Sequence, residues 1–146
     1  MFTKSFTTFF VSLVVVLSWA ACVSARITGI SGDGHFAKQG FSYPITFTTQ
    51  DTSTDNLDFT VVLGWSSSPV PSGGVGSIAF STVDLLSIGE TNTGTGSFTV
   101  QVPLDPTVFQ LTQNTVFTLT AAVTSLTGAA KIAVVSLFST SITIEP

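Results

Sequence analysis

Charge, histidine and cysteine are all scarce in this sequence: four basic and eight acidic side chains, one histidine and one cysteine serve 146 residues. Each scarcity excludes a class of function. A polyanion such as nucleic acid or an anionic membrane needs a basic patch to grip, and Arg26, Lys38 and Lys131 do not make one. Structural or catalytic zinc needs three or four Cys, His or carboxylate ligands, and His35 stands alone. A disulfide framework needs paired cysteines, and Cys22 has no mate. The three asparagines, Asn56, Asn92 and Asn114, fall in no N-x-Ser/Thr sequon, so N-linked sugar is not expected.

Long apolar runs are also few, and the one at the start has a specific reading. Lys4 gives a short positive beginning, the run from Phe9 to Val23 is broken by serines, and Val23-Ser24-Ala25 places small residues where signal peptidase requires them. Residues 1–25 are therefore expected to be a secretory signal, with the mature chain starting at Arg26 and lying outside the cell. That run is short of the roughly 20 residues a membrane helix needs. Cys22 and Trp19 would leave with the signal, so the mature chain would hold no thiol and a single tryptophan, Trp65. Residues 26–146 are enough for one domain, which at this size can bury roughly two-thirds of its unfolded surface without disulfides.

What the mature chain does contain is alternation. Phe41, Tyr43, Ile45 and Phe47 form one period-two run, and Leu57, Phe59, Val61, Leu63 and Trp65 form another. The pattern returns at Phe98, Val100 and Val102, at Phe117, Leu119, Ala121 and Val123, and at Ile132, Val134, Phe138, Ile142 and Ile144. Adding residues 26–30 and 77–88 gives about seven strands. Pro44 lacks a ladder donor, which predicts an edge or a bulge there. The last stretch is long for one strand, and Ser136, Ser139 and Ser141 suggest a bend where it crosses between sheets. Gly-, Pro-, Asn- and Asp-rich turns separate the runs, and no stretch keeps helical spacing. The expected fold is all-β, an antiparallel immunoglobulin-like β-sandwich, with a closed barrel as the alternative.

Few residues could carry chemistry. His35 could serve a Ser-His-Asp hydrolase, but no G-x-S-x-G elbow accompanies it. A copper oxygenase site would require a histidine where Arg26 stands. Gly32-Asp33-Gly34 and Gly73-Gly74-Val75-Gly76 join no strand to a helix and read as turns rather than phosphate loops. Asp51, Asp55 and Asp58 cluster in sequence, which leaves calcium conceivable, yet around a turn Asp is favoured for its own hydrogen bonds and for wetting the surface. Trp65 and Tyr43 could stack a sugar, but both are in phase with core positions. No catalytic residue, metal or cofactor is predicted, and the chain reads as a binding protein rather than an enzyme.

Some of these segments resemble a known family. The opening "RITGI", the stretch "DFTVVLGWSSSPVPSGGVGSIAF" and a closing Phe-Ser-Thr-x-Ile-Thr-Ile strand resemble the necrosis-inducing secreted proteins of plant-associated fungi. The chain departs from that pattern after Ile30, where "SGDGHFAKQG" replaces a Pro-Gly turn and Gly40 is left to turn the chain before Phe41. The resemblance implies a secreted effector that binds host receptor-associated kinases, suppresses pattern-triggered immunity and can provoke cell death. Without catalytic residues, such a protein would act by occupying a surface or adding a strand to an exposed edge. The loop from Pro69 to Gly76 and the Arg26 strand are the candidate edges. The alternative reading is a non-catalytic carbohydrate-binding or wall-associated module.

Overall fold

A computed structural model describes residues 24–146 apart from residues 68, 69, 71, 79, 92 and 93. The expected signal lies outside the described residues except for Ser24 and Ala25. Strands β1 (Ser24–Gly32), β3 (Ser42–Thr52) and β6 (Gly96–Pro103) form one sheet in the order β1-β3-β6. The second sheet runs β2-β8-β7-β4-β5, from β2 (Ala37–Lys38), β8 (Ile132–Glu145), β7 (Thr115–Thr127), β4 (Asn56–Ser66) and β5 (Phe80–Asp84), and it curls into a half-barrel. The chain is thus all-β with two sheets. All pairings are antiparallel except the two-residue β2 alongside β8. Among the described residues no helix is long and apolar enough to cross a membrane.

Alternation builds the core as expected for most runs. Tyr43, Ile45 and Phe47 from β3 meet Val61, Leu63 and Trp65 from β4 and Phe117, Leu119 and Val123 from β7. Their burial at ~25 cal/mol per Å² of apolar surface is the main stabilising force. Phe98 stacks on Phe47 at 5.0 Å. One helical turn, α1 (Pro106–Phe109), which periodicity did not signal, plugs an end of the core. Asp105 caps it by accepting from the Thr107 N–H at 2.8 Å, Pro106 supplies a preset φ, and Phe109 meets Trp65 and Phe117 edge-on.

Several expectations need correction. Pro44 does not mark an edge strand, because β3 is the central strand of its sheet and its ladder to β6 is unbroken at Pro44. The β1 ladder, however, ends opposite Ile45, so Pro44 has a strand on one side only and its missing N–H is tolerated. β8 does not bend between sheets: it pairs with β7 without a register shift over its whole length, since a 13-residue β7 supports it throughout. Residues 77–88 hold only the short β5. Phe41 points out, with Lys38 above its ring. Gly40 does turn the chain before it, at φ +86.

β4 departs furthest from the alternation in its sequence. Its register to β7 shifts between Asp58 and Thr60, a bulge that leaves Phe59 unpaired and moves the preceding residues to the opposite face. Asn56 and Asp58 thereby turn inward and Asp58 is 3% exposed, whereas Leu57 and Phe59 are only half-buried. Asp58 is not a wet surface residue.

Candidate interaction site

Of the candidate residues, the fold brings His35, Asp33 and Tyr43 together and scatters the others. His35 lies with its side chain 86% exposed, its ring 3.7 Å from Asp33. The Asp33 carboxylate accepts the His35 N–H at 2.9 Å, and this bond, with help from the Tyr43 hydroxyl, holds its carboxyl below the usual carboxylate range. Tyr43 itself is buried and donates to the His35 carbonyl at 2.9 Å; that burial, followed by the nearby Asp33, pushes its phenol up. His35 and Tyr43 line a shallow pocket of about 320 Å³ with Ser31, Phe36 and Thr140. No nucleophile and base are paired in it.

The three aspartates are scattered by the fold. Asp51 sits on β3, Asp55 pairs with Lys131 across the turn, and Asp58 is interior. Among the described residues no three His, Cys, Asp or Glu side chains converge on a metal position. Trp65 is 1% exposed and Tyr43 is buried, so neither offers a face to a sugar.

Asp58 instead organises a buried polar lock between the sheets. Its carboxylate accepts the Ile27 N–H at 2.6 Å, the Asn56 side-chain amide at 2.9 Å and the Ser125 hydroxyl at 2.6 Å. Asn56 extends the lock by accepting the Thr127 hydroxyl at 2.9 Å and donating to the Ala25 carbonyl at 3.3 Å. Its backbone N–H donates to the Ser24 hydroxyl at 2.6 Å, and its backbone carbonyl accepts from the same hydroxyl at 2.5 Å. β1, on one sheet, is thereby fastened to β4 and β7 on the other. The Arg26 strand is therefore a poor candidate for a free edge, and its own pairing with β3 shifts between Ile27 and Gly29.

Pro69 and Pro71 lie outside the described residues, but the rest of their loop is anchored. Ser77 and Ile78 both donate backbone N–H to the Trp65 carbonyl, at 2.9 and 3.0 Å. Gly64 and Gly76 permit this approach: a Cβ on Gly64 would fall 2.5 Å from the Val75 carbonyl oxygen, and one on Gly76 2.6 Å from that of Trp65. The "LGW…GVG" segment of the sequence thus records a backbone clasp. Beside it, Trp65 and Phe109 floor an apolar cleft of about 380 Å³ bounded by Ile78, Val108 and an outward-facing Phe80.

The residues that sequence reasoning missed are on β8. β2 covers Ile144 and Glu145, and among the described residues no strand pairs with residues 132–143 on the side away from β7. The first half of this edge exposes apolar side chains on both faces: Ile132 at 63%, Val135 at 61%, Val134 and Leu137 at about 40%. It has no proline, no charge and no bulge, the features that blunt an edge against added strands. Outward-facing Leu137 continues across the sheet through Ala122 to Val62, one uncharged cross-strand row. The sequence signal was present in "IAVVSLF", whose apolar residues do not keep to one parity, but a core strand buried on both faces reads the same way.

The family model described as the Nis1 family covers residues 23–143. No curated protein matches the chain.

Proposed function

The chain belongs to the Nis1 family, and on that premise we propose that it is a secreted, non-enzymatic effector of the necrosis-inducing kind. It binds host receptor-associated kinases outside or inside the plant cell, suppresses pattern-triggered immunity and can provoke cell death. In this reading the two sheets are a variant of the immunoglobulin-like sandwich whose second sheet has curled. Family membership over residues 23–143 carries the proposal.

The open half of β8 supplies a means. An extended segment of the partner adds to it as a further strand, main-chain bonds giving affinity and the Val62-Ala122-Leu137 row receiving apolar side chains. The carbohydrate-binding alternative loses its platform, because Trp65 and Tyr43 are interior.

The test is expression of the full chain in plant leaf tissue, capture of co-purifying proteins, and measurement of the oxidative burst to a microbial elicitor. Co-purification of receptor-associated kinases with a weakened burst is the expected result. An unchanged burst with no kinase recovered would remove the effector reading.

A further inference from the structure

We infer that Ser24 and Ala25 are retained in the mature domain and that the leader is removed ahead of Ser24, not after Ala25. The inference rests on the secretory reading of the N-terminal residues. It concerns where that reading places the new N-terminus, and it moves the processing site from Val23-Ser24-Ala25 to a position upstream.

Ser24 and Ala25 are interior residues of the domain. Both are buried, at 4% and 3% exposure, and both pair in register with β3, opposite Thr52 and Asp51. The Ser24 hydroxyl bridges the backbone N–H and carbonyl of Asn56, and the Ala25 carbonyl accepts from the Asn56 amide. A cut after Ala25 would strip these partners from a buried asparagine that also positions Asp58. Buried polar groups left without partners are strongly disfavoured.

The family match points the same way, because it starts at residue 23 and includes both residues.

The experiment is secretion of the full chain from a yeast host, followed by N-terminal sequencing and intact mass of the protein in the medium. A start at Ser24, or at a residue between Met1 and Ser24, is the expected result, and a start at Ala25 or further on overturns the inference. Recovery only inside the cells with Met1 in place overturns the secretory reading itself, and the inference with it. A Ser24→Ala variant gives a second readout. If Ser24 is retained, the secreted variant melts several degrees lower than wild type; if the cut follows Ala25, the two secreted proteins are identical and melt together.

Discussion

β1 and the first half of β8 are both margins of a sheet, and the chain treats them in opposite ways. β1 is bulged against β3 and tied to the other sheet by the carboxylate of Asp58 and the amide of Asn56. The start of β8 is straight in register, uncharged and apolar on both faces, with no strand among the described residues paired on the side away from β7. One margin spends buried polar groups on being fixed; the other leaves its backbone donors and acceptors available to a partner. In a protein with so few charges, the difference between a closed edge and an open one is made by four or five side chains.

Breaking the closed margin should have the largest effect. Asp58→Ala leaves the Ile27 N–H, the Asn56 amide and the Ser125 hydroxyl without their shared acceptor in the interior. Each buried orphan costs about 1–3 kcal/mol, so a loss of about 3–5 kcal/mol is expected, a large share of the 5–15 kcal/mol typical of a domain. Urea unfolding of the secreted protein measures it. A loss under about 1 kcal/mol would mean that the lock does not hold β1, and the contrast with β8 would collapse.

The clasp beside the cleft tests whether a loop can be as firmly set as β1. Gly76 has φ +131, and its Cβ would lie 2.6 Å from the Trp65 carbonyl oxygen. Gly76→Ala therefore combines backbone strain with a clash against main chain, together about 2–4 kcal/mol. Trp65 fluorescence should shift as the cleft floor is disturbed. If the variant keeps wild-type stability and an unshifted spectrum, residues 75–78 are not fixed by this clasp.

At the open margin the expectation reverses: stability barely moves while binding falls. Val135→Lys with Leu137→Lys places charge on outward, exposed positions of β8, where substitutions usually stay within about 0.5 kcal/mol each. Lysine on an edge strand opposes further strand pairing, so kinase capture in leaf tissue should drop at least about tenfold, equivalent to about 1.4 kcal/mol. Undiminished capture by the folded double variant would show that partners dock elsewhere, with the Trp65 cleft as the next surface to alter.

Most of the fold could be read from period-two alternation because Tyr43, Ile45, Phe47, Val61, Leu63 and Trp65 obey it. The site was less legible, for two physical reasons. The bulge at Asp58 changes parity by one residue, and no local propensity in "NLDFTV" announces it; Asp58 becomes visible only when Ile27 and Ser125, distant in sequence, arrive beside it. The β8 edge depends on which strands fail to pair, and a strand's apolar content is the same whether it lies in a core or waits at a margin. The clasp left a clearer mark, since Gly64 and Gly76 stand where backbone meets backbone.

The smallest predicted effect lies at the far end of the β1 margin, where the polar contacts become exposed. Asp33 accepts the His35 N–H, and the bond keeps its carboxyl below the ordinary range. A group depressed in the folded state adds stability that is complete above its unfolded value and fades as pH falls through the folded one. Wild type should therefore exceed Asp33→Asn slightly at pH 7, with the gap closing below about pH 4. Because the Asp33 side chain is more than a third exposed, solvent screens the interaction and the gap in melting temperature should be no more than about 2 °C. Melting curves of the two proteins from pH 7 to pH 3 measure it. A gap as large as that of Asp58→Ala would mean that the lock extends the whole length of β1 rather than ending where burial ends.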